Sequence, residues 1–131
     1  MYATLGEALQ GLGAQVQVSF RRHTALVERD VEAALAAGAL PILIVLFWNG
    51  YELSHPGAYQ DSLLRLQRLA LAGAYMILYN TEPRDRVLMH AKPFAAKMNA
   101  REVWDYSLAN LAHYKATAPG VLTRHVYPGC A

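Results

Sequence analysis

Between Arg101 and Lys115 the chain reads REVWDYSLANLAHYK. Trp104, Asp105, Tyr106, Ser107 and Asn110 crowd together there, in a sequence otherwise rich in Leu and Ala. A carboxylate, a hydroxyl and an amide beside two aromatic rings suit a polyhydroxylated ligand, whose apolar face stacks on a ring while its hydroxyls pair with polar groups. Similar sets follow the other apolar runs: Arg21, Arg22 and His23; Trp48, Asn49, Tyr51, Glu52 and His55; and Asn80, Thr81, Glu82 and Arg84.

Within these sets Trp48, Tyr51 and Tyr106 are the stacking candidates for a sugar or a base. Asn49, Asn80, Glu82 and Asp105 are the hydroxyl partners, and Arg21, Arg22 and Arg84 could meet phosphate through the guanidinium fork. Each residue taken singly also has a plain structural reading, since Asn and Ser cap helices and Trp and Tyr pack at sheet ends.

Other chemistries find less support. Glu52 and His55 have a metal-ligand spacing only on a helix, but Pro56 and Gly57 follow at once and no third ligand is evident, so no metal site is predicted. Ser107 lacks the flanking glycines of a nucleophile elbow. The GLG at 11 to 13 ends a helical pattern, whereas a phosphate-cradling loop must open one, which disfavours a standalone nucleotide-binding regulator.

The elements that must position these groups follow from periodicity. YATLGEALQGLGA spaces Leu5, Leu9 and Leu12 as a helix closed by Gly13, and QVQVSF alternates as a strand. Thr24 caps a helix striped by Val27, Val31, Ala34 and Leu35 that ends at Gly38. After Pro41 an unbroken apolar run reads as a strand covered on both faces. HPGAYQDSLLRLQRLALAG is a helix with Tyr59, Leu63, Leu66 and Ala70 on one stripe and Gly73 as its stop; AYMILYN is a strand, TEPRDR a loop, and Met89 to Ala100 is weakly patterned. REVWDYS reads as a short strand, Ser107 as the cap of a helix carrying Leu108, Leu111 and Ala112, and VLTRHVYP as a last short strand.

Helix and strand alternate throughout, which predicts an α/β fold: one three-layer, Rossmann-like domain over residues 1–131, with a mainly parallel sheet of about four to five strands and helices on both faces. In such sheets ligands bind beyond the carboxyl ends of the strands, so the polar segments converge on one rim.

Two segments, ILYNTEP at 77 to 83 and EVWDYSLANLAHYK at 102 to 115, followed by HVYPG, resemble the amino-terminal halves of bacterial two-domain GT-B glycosyltransferases. There a hydrophobic strand ends in an Asn-x-Glu turn, a Trp-Asp-Tyr-Ser segment with a nearby Asn precedes a helix, and a short strand ending in Pro-Gly leads toward the second domain. The resemblance runs in order over roughly residues 40 to 129, and Trp-Asp-Tyr-Ser is its most specific part. It implies a half-enzyme for hexosyl transfer whose rim faces a sugar or glycan acceptor, with Glu82 and Asp105 as catalytic candidates: Glu82 is the first choice as general base for the acceptor hydroxyl, since a carboxylate at a strand end can reach it, Asp105 comes next, and His23 or His55 stand behind. Asn49, Asn80, Arg84, Tyr106, Trp48 and Tyr51 would bind substrate. No firmly bound cofactor is implied; a nucleotide sugar is the expected co-substrate, held by a donor-binding domain or partner protein. Relative to that family the chain starts late, at the first helix, and stops before the donor-binding domain, so it is expected to be incomplete alone. A non-catalytic module binding a glycan or a protein on the same fold is the alternative.

The totals agree with a single domain: 131 residues, 54% of them hydrophobic, bury roughly two-thirds of the unfolded surface. The net charge is +2 with the basic residues scattered, so no nucleic-acid partner is predicted. The single cysteine, Cys130, has no disulfide partner and no activating neighbour, which points to a reducing compartment. The apolar run from Leu40 to Trp48 is about half of what an integral membrane segment needs, and no signal peptide is evident, so a cytoplasmic protein is expected. A parallel sheet lacking the family's first strand exposes apolar edge, so a homo-oligomer is expected. If Asp105 binds ligand, Asp105→Asn should leave stability nearly unchanged, and Trp104→Ala should cost several kcal/mol as a buried aromatic, roughly 3 to 5.

Overall fold

The computed structural model describes residues 24–47, 56–81, 92–117 and 120–127. In chain order the elements are α1 (Thr24–Ala36), β1 (Ile42–Phe47), α2 (Pro56–Ala72), β2 (Tyr75–Asn80), α3 (Lys92–Lys97), β3 (Glu102–Asp105), α4 (Leu108–Thr117) and β4 (Leu122–His125). The helix and strand expected before residue 24 lie outside the described residues. The weakly patterned stretch before Arg101 contains α3, whose six residues are too few for a periodic signal to stand out.

The four strands form one sheet in the order β1-β2-β3-β4, every neighbouring pair parallel. This is the α/β, Rossmann-like fold expected from the alternation of elements. A sheet that adds parallel strands always on the same side must, with right-handed crossovers, put each connecting helix on the same face. The core agrees. Leu43, Met76, Leu78 and Val103 share one face by alternation and register, and they cluster with Val31 of α1, with Tyr59, Leu63, Leu66 and Leu69 of α2, with Ala95 of α3 and Tyr114 of α4, and with Met98.

Three helices end by the same device. Beyond α1, α2 and α3, the residues Gly38, Gly73 and Asn99 adopt positive φ (73°, 114° and 55°). The amide after each turns back on the helix: Ala39 N to Ala34 O at 2.9 Å, Ala74 N to Leu69 O at 3.0 Å and Ala100 N to Ala95 O at 2.9 Å. These are Schellman stops, which cap the last carbonyls and turn the chain sharply toward the next strand. Gly38 and Gly73 are legible as stops in the sequence; Asn99 takes the left-handed conformation that Asn tolerates better than most residues.

Two packing details depart from the periodicity. In α4, Leu108 and Ala112 are exposed, while Asn110, Leu111 and Tyr114 face inward. Asn110 donates to Asp105, a bond available only with this face of the helix turned inward. In β1, Leu43 points into the core, whereas Ile42 and Leu46 on the other face are 57% and 40% exposed, so the described residues do not cover this strand on both faces. The described helices all lie on the first.

The second face holds a polar cluster around Glu102, which is only 6% exposed. Its carboxylate accepts from Tyr75 Oη (2.8 Å), Trp104 Nε1 (2.7 Å) and Arg124 Nε (2.9 Å). Trp104 is half-buried, edge-on to Tyr79 at 6.4 Å, so its truncation costs less packing than that of a fully enclosed aromatic and also strips Glu102 of a donor. The Arg124 hydrogen bond holds the Glu102 carboxyl below the usual carboxylate range, aided by Trp104 and Tyr75 and opposed by burial. A carboxyl depressed in the fold stabilises it above the unfolded-state value and loses that contribution as pH falls through the folded value. Glu102→Gln is therefore expected to be less stable than the parent at neutral pH and to lose less on acidification below about pH 4.5, read as urea midpoints across an acid series. Parallel acid limbs would mean that the Glu102 charge contributes nothing to the fold.

Candidate functional site

Because every strand points the same way, their carboxyl ends meet on one rim. Phe47, Asn80, Asp105 and His125 are in register there as the last rung of the sheet. Two residues earlier on the same face the rung is Val45, Leu78, Val103 and Thr123. The core face thus changes from apolar to polar at the edge where an α/β sheet carries its ligands.

Asp105 is the centre of that rung and is 0% exposed. Asn80 Nδ2 donates to its Oδ2 at 2.8 Å, and Asn110 Nδ2 lies 3.1 and 3.2 Å from the two oxygens. The backbone N–H of Ser107 donates to Oδ1 at 2.8 Å, and the Tyr106 backbone contributes another hydrogen bond. Burial pushes the carboxyl above its ordinary range, and these donors pull it back. Ser107 then starts α4: its Oγ accepts from Asn110 N at 3.4 Å and its carbonyl from Leu111 N at 3.1 Å, an N-cap as the sequence suggests. One carboxylate so joins the end of β2, the end of β3 and the first turn of α4. The carbonyl of Asp105 also accepts from Val126 N at 2.9 Å, which binds the chain beyond β4 to the same point.

This geometry brings three of the sequence candidates together, Asn80, Asp105 and Tyr106. Asn80 and Asp105 are closed off from solvent, so in this structure they hold the rim rather than face it. Tyr106 is half-buried, and its carbonyl accepts from His125 Nε2 at 2.9 Å. Trp48, Asn49, Tyr51, Glu52, His55, Glu82 and Arg84, with Arg21, Arg22 and His23, lie outside the described residues. Thr81 is described and half-buried, directly after Asn80, so the segment that carries Glu82 leaves from the locked end of β2.

Three residues join the site that sequence reasoning missed. His125 stands in register with Asp105, and its ring meets Tyr127 edge-on, with centroids 6.2 Å apart and planes at 80°. The HVYP run shows a strand, but not that it pairs with β3 in this register. Tyr114 is buried against the core, and burial together with the charge of Asp105 raises its phenol. Among the described residues nothing bonds its hydroxyl.

No group of three or more His, Cys, Asp or Glu among the described residues could hold a metal ion, and no described helix is long and apolar enough to cross a membrane. What the fold and site define is a parallel α/β sheet with a polar rim built on an Asp-centred hydrogen-bond lock. No family model matches the chain, and neither a curated protein nor a solved structure matches it significantly.

Proposed function

We propose that this chain is the acceptor-side half of a GT-B type glycosyltransferase, one that needs a donor-binding domain or partner to transfer a hexosyl group from a nucleotide sugar. The observation that carries the reading is the lock itself. The residues of the Trp-Asp-Tyr-Ser resemblance and of the Asn-x-Glu turn meet, since Asn80 and Asn110 both donate to Asp105 at the carboxyl ends of parallel strands. Such a lock gives the loops that leave the rim fixed roots, and fixed roots are what positioning an acceptor hydroxyl requires.

In transfer the acceptor oxygen bonds to the anomeric carbon as the bond to the diphosphate breaks, and a carboxylate takes the hydroxyl proton. Glu82 is the residue for that proton, because Asp105 already receives four groups of the protein. Asn49, Trp48, Tyr51 and Arg84 belong to the substrate side of the same reading. The chain is taken to be cytoplasmic and to bind no nucleic acid. The exposed Ile42 and Leu46 on one face of β1 support association with a further copy.

The full burial of Asp105 favours a second reading, a non-catalytic module that binds a glycan or a protein, since it withdraws one of the two catalytic carboxylates. Saturation-transfer NMR with simple methyl glycosides and a set of nucleotide sugars tests the proposal. The acceptor-side reading expects transfer to glycosides and only weak transfer to the nucleotide moiety; transfer to the nucleotide alone would contradict it.

A further inference from the structure

The carbonyl of Tyr106 can only accept, so the His125 nitrogen that faces it at 2.9 Å, Nε2, carries the proton. In the neutral ring the remaining nitrogen, Nδ1, is then an acceptor, and no described residue bonds to it. The ring is exposed, yet it is fixed on one edge by that hydrogen bond and braced by Tyr127. Tyr127 is 70% exposed, so an aromatic ring stands open to solvent beside the polar rung.

The two ring planes stand at 80° to one another with centroids 6.2 Å apart, so a ligand laid flat on Tyr127 would lie within reach of a histidine ring set nearly perpendicular to it. A pyranose presents the complementary surfaces: a face of C–H groups and a rim of hydroxyls. A flat nucleobase would use the face but has few donors set perpendicular to it. From this we infer that Tyr127 and His125 form a sugar subsite on the β4 side of the rim, Tyr127 stacking on the ring and His125 Nδ1 accepting from a hydroxyl. The inference rests on the acceptor-side reading and adds to it the place where a sugar sits and the residues that hold it. Neither residue is needed by the lock at Asp105, whose donors come from Asn80, Asn110 and the backbone of Tyr106 and Ser107.

The test is a titration of the full chain with methyl β-glucopyranoside, methyl β-galactopyranoside and methyl α-mannopyranoside, read by saturation transfer and by the aromatic resonances of the protein. Transfer is expected to fall on one C–H face of the sugar, with the Tyr127 and His125 ring signals moving together. Tyr127→Ala is expected to weaken binding about tenfold, equivalent to about 1.4 kcal/mol. Tyr127→Phe should bind as the parent does, and His125→Ala should weaken binding and shift preference away from the sugar whose hydroxyl meets Nδ1. Both positions are exposed, so unchanged melting curves should accompany these changes. Transfer that survives Tyr127→Ala and His125→Ala undiminished overturns the subsite but leaves the acceptor-side reading standing. Absence of transfer to any of the sugars from the folded parent overturns both.

Discussion

Asp105→Asn is expected to destabilise the fold by about 2 to 4 kcal/mol, as the midpoint of a urea melt would show. Two effects oppose each other. The amide is neutral, so it escapes the burial that pushes the Asp105 carboxyl upward, a relief of about 1.4 kcal/mol for each tenfold gain in proton affinity that burial imposes. Against this, Asp105 accepts from Asn80, Asn110, Ser107 N and the Tyr106 backbone, and an Asn side chain turns an NH2 toward some of those donors. Each buried donor left facing another costs about 1 to 3 kcal/mol, so with at least two stranded the loss exceeds the relief. The damage should also be cooperative: Asn80→Ala and Asp105→Asn together should cost less than their sum, with a coupling of about 0.5 to 3 kcal/mol. An Asp105→Asn chain of parental stability would return Asp105 to the ligand-facing role that its sequence context suggests.

Tyr114 gives the second large effect, and the two substitutions to compare move in opposite directions. Tyr114→Ala removes a side chain that is 1% exposed and packed in the core cluster, and it should cost about 3 to 5 kcal/mol, as for other buried aromatics. Tyr114→Phe keeps the packing and deletes a hydroxyl that nothing among the described residues bonds, so it should be neutral or stabilising by up to about 1 kcal/mol. Thermal denaturation of the pair decides. A Phe variant as damaged as the Ala variant would mean that the hydroxyl is bonded in solution.

Much of the fold was legible because it is encoded locally. The Tyr59, Leu63 and Leu66 stripe of α2, the apolar run of β2 and the glycine stops after α1 and α2 each act within a few residues, and all appear where periodicity puts them. What was not legible is non-local. Leu108 and Ala112 have the right type and spacing for a buried stripe, but α4 instead turns inward the face of Asn110, which bonds a carboxylate on β3. For the same reason the buried, hydrogen-bonded setting of Asp105 is not legible in the sequence. Its meaning depends on Asn80, twenty-five residues earlier, and on the parallel register that sets them side by side. His125 is the converse case, a dispersed histidine in the sequence that pairing with β3 brings to the rim.

A chain that supplies the acceptor side of sugar transfer, and not the whole reaction, should bind sugars without turning over a donor. Release of nucleoside diphosphate by the purified chain, across a panel of nucleotide sugars with and without simple sugar acceptors, addresses this most directly. The expected result is no release above the uncatalysed rate from the folded chain alone, in the same preparation that binds glycosides. Release that disappears in Glu82→Gln would contradict it, because the chain would then hold a complete transfer site.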